Sequence, residues 1–322
     1  MFRDDQAAFL LPLADQHATM ECVGGKGASL AWLARAGFSV PAGFHITTAA
    51  YRWFVAANDL HRVLRAATAA GCADDPGARE RAASDIAAAF AAGAMPEALA
   101  QAIEQAYAQL GSSGVPLAVR SSATVEDLPT RSFAGQQATY LNIGGGDLLE
   151  AIKRCWASLW TARAIAYRAQ AGIHTANISM AVVVQQLVAA EVAGVLFTAN
   201  PISGARHQVM INASWGLGEA IVGGLVTPDS LIVDKTTGRI VVQEIADKVV
   251  MTVRSAGGTH EVPVLARQRR QPVLTAAQAA ELVQLGQAVE RLYEQPMDIE
   301  WAMHDDRIFV VQARPITVLP AP

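Results

Sequence analysis

The stretch Ala118-Val119-Arg120-Ser121-Ser122-Ala123-Thr124-Val125-Glu126-Asp127-Leu128-Pro129 runs straight into Ser132-Phe133-Ala134-Gly135-Gln136-Gln137. An apolar strand from Leu117 ends in the guanidinium of Arg120, then gives way to hydroxyl residues and a loop of small side chains. Arginine presents a planar fork of donors matched to phosphate oxygens. Short side chains let backbone N–H groups approach those oxygens closely. The pattern describes a cradle for a polyanion. A salt bridge is the competing reading of Arg120, and Glu126 and Asp127 read as solvated loop acids.

Upstream of this strand, Tyr51 to Leu110 is alanine-rich with helical spacing, punctuated by Gly71, Pro76-Gly77 and Pro96. Alanine is the best helix former, so the segment reads as an all-helical insert. A shorter helix is expected from about Gly24 to Gly37, with Leu30, Leu33 and Ala34 on one stripe and Pro41 beyond its end. Downstream, a long helix is expected from about Leu148 to Ala171, with Ile152, Trp156, Leu159 and Trp160 on one side.

After Ile173 the texture changes to strands, at Met180–Val188, Gly194–Phe197, Val209–Ala213, Leu231–Val233 and Ile240–Val242. Thr275 and Gln278 form a capping box for a helix reaching about Tyr293, and a β-hairpin follows Pro296. The expected class is α+β in two lobes, residues 1–180 with the helical insert at about 51–110, and residues 181–322.

Composition narrows the function classes. Net charge is −4, from 25 basic and 29 acidic residues, so no basic footprint marks nucleic acid as the main partner. The longest apolar stretch, Met180 to Phe197, is interrupted by Gln185, Gln186 and Glu191, which argues against a membrane span. The N-terminus, Met1-Phe2-Arg3-Asp4-Asp5, lacks a signal-peptide plan. Cys22, Cys72 and Cys155 are odd in number and form no C-x-x-C pair, so reduced thiols and a cytoplasmic location are expected.

Two further segments carry chemistry. Val23-Gly24-Gly25-Lys26-Gly27 sets glycines and a lysine at the start of a helix, where free N–H groups and the helix dipole favour an anion. It is no Walker A loop, because Gly27 stands where Ser or Thr is required and Met20 where the first glycine belongs. A tight turn with a solvated lysine is the other reading.

The second segment is the terminal hairpin, Met297-Asp298-Ile299-Glu300-Trp301-Ala302-Met303 and Ile308-Phe309-Val310-Val311-Gln312-Ala313-Arg314. A three-residue loop, Asp305 to Arg307, sets Glu300 opposite Gln312 and Asp298 opposite Arg314. These four share one face, while Ile299, Trp301, Phe309 and Val311 share the other. Carboxylate, amide oxygen and guanidinium together suit a magnesium ion on phosphates, since magnesium takes hard oxygen ligands. Cross-strand polar pairs on an exposed hairpin are the alternative.

Gln185-Gln186-Leu187 ends an apolar strand, where Gln186 meets either an adenine edge or an interior amide partner. Gly216-Leu217-Gly218-Glu219-Ala220-Ile221 imitates a dinucleotide fingerprint, but Ile221 replaces its third glycine, so it reads as a turn into a short helix. His45, His174 and His207 show no spacing for a metal or a catalytic triad.

Val23 to Leu30, Ala118 to Gln137, Val195 to Ile202, Ala213 to Val222 and Pro296 to Ile316 resemble the N-terminal ATP-binding domain of phosphoenolpyruvate synthases, pyruvate phosphate dikinases and rifampin phosphotransferases. The run Val195-Leu196-Phe197-Thr198-Ala199-Asn200-Pro201-Ile202 looks somewhat more like the rifampin group. The resemblance implies a two-lobed ATP-grasp-like fold with ATP held between the lobes. By position it assigns Lys26, Arg120 and Arg314 to the phosphates, Arg120 and Arg314 acting in catalysis. It sets Gly135 and Thr139 on a loop over ATP, Gln186 on the adenine side, and Glu300 and Gln312 on magnesium.

Family members pass the β-phosphate through a histidine in a glycine-rich motif ending in Ser-His. Here Gly223-Gly224-Leu225-Val226-Thr227 is followed by Pro228, and no such motif occurs. The resemblance therefore implies a phosphocarrier histidine domain elsewhere, in the same or another polypeptide, and a small-molecule acceptor such as pyruvate or a rifamycin. A stand-alone ATP-binding sensor or regulatory subunit is the rival.

Overall fold

The computed structural model describes residues 9–72, 75–111, 114–124, 127–128, 131–132, 138–170, 178–317 and 319–320. Helices and strands are mixed, and the chain forms two compact units. One comprises residues up to Ala31 together with Ala42–Leu187; the other comprises Trp32–Pro41 and the residues from Val188 onward.

In the first unit, β1 (Leu10–Pro12), β2 (Gly43–Ile46), β3 (Leu117–Ala123), β6 (Thr139–Ile143) and β7 (Met180–Gln186) form an antiparallel sheet of order β1-β2-β7-β3-β6. The two-residue strands β4 (Asp127–Leu128) and β5 (Arg131–Ser132) pair with each other. Strand alternation gives this sheet two different faces. Phe44, Ile46, Leu117, Val119, Val182 and Val184 lie on one and are buried in a core with Phe54, Phe90, Ile103 and Trp156.

Those core partners come from a helical layer. It contains α2 (Thr48–Ala57), α3 (His61–Cys72), α4 (Pro76–Ala92), α5 (Glu97–Gln109), α6 (Leu148–Ser158) and α7 (Ala162–Gln170). The alanine-rich segment is helical as its composition predicts, and Pro76 occupies the first turn of α4, where its missing N–H costs nothing. The single helix expected over 148–171 is instead two, broken at Leu159-Trp160-Thr161. Thr161 Oγ1 accepts the N–H of Ala164 at 3.2 Å and so starts a new helix.

The opposite face of the sheet carries His45, Arg120, Ser122, Thr139, Val183 and Gln185. Helix α1 (Met20–Arg35) is interrupted at Gly24, whose φ of 70° and ψ of 174° are not helical. A side chain there would meet the Ser122 carbonyl oxygen at 2.3 Å, so only glycine fits both the conformation and the contact.

The second unit holds β8 (Val192–Phe197), β9 (Gln208–Trp215), β10 (Asp229–Asp234), β11 (Ile240–Glu244), β14 (Met297–His304) and β15 (Arg307–Pro315) in the order β11-β10-β9-β8-β14-β15. Helix α8 (Glu219–Val222) follows the Gly216 turn, as read from the sequence. Helix α9 (Ala276–Tyr293) starts with the expected Thr275/Gln278 capping box. Leu282, Val283 and Val289 of α9 share a core with Leu196, Ile211, Ile299, Trp301 and Val310. Gly194 leaves room for the Trp301 ring against β8, since a Cβ there would sit 2.6 Å from it. The hairpin of β12 (Val250–Ser255) and β13 (Gly258–Pro263) is not legible as strands in the sequence, because Gly258-Thr259-His260-Glu261 is too polar to read as one.

Among the described residues no single helix is long and apolar enough to cross a membrane.

Candidate functional site

Two of the segments expected to hold phosphate in the first unit meet at one serine. Arg120 and Ser122 stand two residues apart on the same face of β3, and Thr139 of β6 is the register partner of Arg120. Ser122 is fully buried, and its hydroxyl contacts both sides of the broken turn that carries Lys26. Lys26 is itself buried, within electrostatic reach of Cys155, whose thiol burial pushes up to about 12 against the pull of Lys26 and Arg154. Arg120 and Thr139 are thus neighbours in the folded unit, and the turn that carries Lys26 is joined to the same strand face through Ser122. Gly135 lies outside the described residues.

Gln186 is placed differently. It pairs with Leu117, on the helical side of the sheet, and its Nε2 donates to the Leu110 carbonyl at 2.5 Å. The neighbouring Gln185, buried and level with Ala118, is the one that shares a face with Arg120. Backbone N–H groups at this strand end are also used, Gln186 to Ala42 O at 2.8 Å and Leu187 to Pro116 O at 2.8 Å.

His45 also occupies the Arg120 face. Its Nε2–H donates to Leu13 O at 3.0 Å, while Nδ1 is buried and takes no hydrogen bond from any described residue. Burial pulls the imidazole down to about 4, against smaller raising effects of the Leu13 bond and of Asp15. The unfolded chain therefore binds a proton near pH 6.5 that the native state refuses until about pH 4. Stability present above pH 6.5 is lost as pH falls through that window, by roughly 3 kcal/mol in total. Urea unfolding at pH 7 and pH 4.5 should show this slope, and His45→Leu should flatten it.

In the second unit, Asp298, Glu300, Gln312 and Arg314 share one face of the β14–β15 hairpin, with Glu300 opposite Gln312 and Asp298 opposite Arg314. The pairing agrees with the sequence expectation, but the turn does not. His304 pairs with Arg307 across the two-residue turn Asp305-Asp306, both at positive φ (48° and 57°). That geometry matches the right-handed twist of the strands.

A bulge between Glu300 and Trp301 then restores the offset, because Trp301 faces Val310 while Glu300 faces Gln312, leaving Val311 extra. The apolar face is correspondingly different from the one expected. Ile308 and Val310 are buried with Trp301, whereas Phe309 and Val311 are only half-buried, and Phe309 lies under Arg307 at 4.9 Å.

The polar face is electrostatically strained in a way a cation would relieve. Arg314 donates from Nε and Nη2 to Asp298 Oδ2, both at 2.9 Å. Asp298 Oδ1 is buried and accepts from no described residue. Burial is the main cause that pushes the Asp298 carboxyl up; Glu300 adds to it and Arg314 opposes it. At neutral pH this carboxylate therefore costs stability, and the penalty fades as pH falls through its raised value.

An unpartnered buried carboxylate oxygen beside a second carboxylate and an amide oxygen is the donor set a hard divalent cation takes. Asp298 was read from the sequence only as the partner of Arg314, not as a ligand. Nothing in the sequence marks Asn212, which faces Val195, itself opposite Glu300 on the adjoining strand.

The family model described as pyruvate phosphate dikinase, AMP/ATP-binding domain matches residues 20–322. The chain is 47% identical over 304 residues to a rifampicin phosphotransferase of Streptomyces sviceus, covering 93% of this chain and 35% of that protein. It is 41% identical over 343 residues to the phosphoenolpyruvate synthase of Pyrococcus furiosus, covering 92% of this chain and 42% of the relative. A probable phosphoenolpyruvate synthase of Methanocaldococcus jannaschii is 43% identical over 306 residues, with 93% and 26% covered. The chain thus spans well under half the length of these relatives.

Proposed function

Because the chain belongs to the family of pyruvate phosphate dikinase AMP/ATP-binding domains, we propose that it is the ATP-cleaving module of a dikinase-type phosphotransferase with an ATP-grasp-like architecture. The observation that carries this reading is the Asp298/Glu300/Gln312/Arg314 face, with its orphaned Asp298 Oδ1. A purely structural hairpin has no use for two carboxylates forced together under partial burial.

In this reading Lys26 and Arg120 grip phosphate oxygens from the first unit, and Thr139 with the Gly135 loop covers them. The adenine side would fall to the end of β7, where Gln185 shares the Arg120 face and Gln186 adjoins it. Glu300 and Gln312 would hold Mg2+, with Asp298 Oδ1 beside them, and Arg314 would add a further positive group. Bound there, the ion would neutralise charge on the phosphates. The protein has little covalent work in such a transfer; positioning and charge stabilisation carry it.

A histidine nitrogen on a separate phosphocarrier domain attacks the β-phosphorus of ATP. The bond from that phosphorus to the oxygen shared with the α-phosphate breaks, AMP leaves with the electron pair, and the histidine carries a pyrophosphoryl group. Its γ-phosphate must leave to water as inorganic phosphate before the β-phosphate passes to the acceptor. Residues of this chain keep the leaving and entering groups in line. The relatives' names support pyruvate or a rifamycin as final acceptor, bound by a part of the protein beyond these residues.

The test is AMP release from ATP and magnesium when a histidine-bearing domain from one of these relatives is added. AMP formation dependent on both additions is expected. ATP binding without AMP formation would favour a regulatory subunit and overturn the proposal.

A further inference from the structure

The interruption of α1 has a specific partner. In an unbroken helix the N–H of Gly27 donates to the carbonyl of Val23, four residues earlier. Here Gly24 leaves helical geometry between them. Into the gap comes the Ser122 hydroxyl, which accepts from Gly27 N–H at 3.0 Å and donates to Val23 O at 2.7 Å. One side chain thereby satisfies both ends of the hydrogen bond that the kink removes. Insertion of a side chain into the helical ladder is a recognised cause of sharp kinks.

We propose that Ser122 is a positioning residue for phosphate binding: its hydroxyl wedges the α1 turn open and so fixes Lys26 beside Arg120. The assignment rests on the phosphate-binding reading of Lys26 given above. Between the two atoms held by Ser122 lie only Gly24, Gly25 and Lys26, the last of which that reading assigns to the anion. Ser122 also shares its strand face with Arg120, two residues away. One short strand therefore sets both basic groups, the guanidinium directly and the ammonium through the hydroxyl.

The rest of α1 is anchored independently, so the hydroxyl is not what holds the helix on the unit. Val23, Leu30 and Ala31 are fully buried. Thr48 Oγ1 donates to Glu21 O at 2.8 Å, and Arg52 braces Thr48 and Ser179 at 3.0 and 3.1 Å. Removing the wedge frees Gly27 N–H and Val23 O to find each other, which closes the turn and withdraws Lys26. Glycine at 24 permits that closure, since it adopts helical and left-handed φ with similar ease.

The experiment is calorimetric titration of the full chain with ATP and with AMP in the presence of magnesium, alongside thermal melting. In the wild type ATP should bind more tightly than AMP; if it does not, the phosphate reading of Lys26 fails independently of Ser122. Ser122→Ala is expected to weaken ATP at least tenfold while AMP changes less than twofold, because the shift acts on the outer phosphates. Ser121→Ala, whose hydroxyl donates to Ala138 O at 3.1 Å, should leave the ATP-to-AMP ratio unchanged. Ser122→Cys keeps the volume with a poor hydrogen-bonding group and should fall on the side of alanine. ATP affinity within twofold of wild type in a folded Ser122 variant overturns the proposal. So do equal losses for ATP and AMP, or failure of both variants to fold, either of which would make the residue merely structural.

Discussion

Glu300→Ala is expected to reduce AMP formation by roughly a hundred- to a thousand-fold without lowering the melting temperature. The first half follows from loss of a carboxylate that would hold magnesium on the phosphates. The second follows from the charge pattern already on that face. Glu300 is one of the groups that push the half-buried Asp298 carboxyl up, so its removal relieves repulsion. Activity and stability should therefore move in opposite directions, as they do where a site is built against the preference of the fold. Assaying AMP alongside a thermal melt checks both halves at once, and unchanged turnover would remove Glu300 from the site. Arg120→Ala should show a loss of similar size.

The largest effect on stability is expected at Asp229. Asp229 and Lys248 are both fully buried and form an ion pair. The carboxylate also accepts from Ala246 N at 2.9 Å and Val273 N at 3.0 Å, and Lys248 donates to Ala246 O at 3.0 Å. Asp229→Ala strands a buried ammonium and two amide donors, for which a cost of about 3–5 kcal/mol is typical. Replacing both partners, Asp229→Leu with Lys248→Met, removes the stranded charge and should recover much of the loss. Urea titrations of the single and double variants test this; a single-variant cost under about 1 kcal/mol would show that water reaches the pair.

What was legible in the sequence depended on how local the physics is. The capping box of α9 and the alanine-rich helices are set within a few residues, and they read correctly. Glu300 opposite Gln312 was also foreseen, yet through a three-residue loop that does not exist; the bulge at Val311 adds back the residue that the tighter turn removes. The break before α7 was hidden because one threonine cap interrupts an otherwise continuous apolar pattern.

The roles of Ser122 and of Asp298 Oδ1 could not be read at all. The first is a contact between residues 95 and 99 positions apart, and the second is the absence of a contact among the described residues. Gln186 shows the converse. Its strand end was found, but which of two adjacent glutamines faces Arg120 is a matter of parity, and the sheet register decides for Gln185.

The extra residue at Val311 bends the hairpin without setting its pairing. Deleting it alone would leave Trp301 opposite Val310 and set Gln312 directly opposite Glu300 in an unbroken ladder, with Asp298 still opposite Arg314. When relatives are aligned, a lone gap at Val311 should therefore be treated as loss of the local bend, and the polar pairing as retained wherever its four letters are.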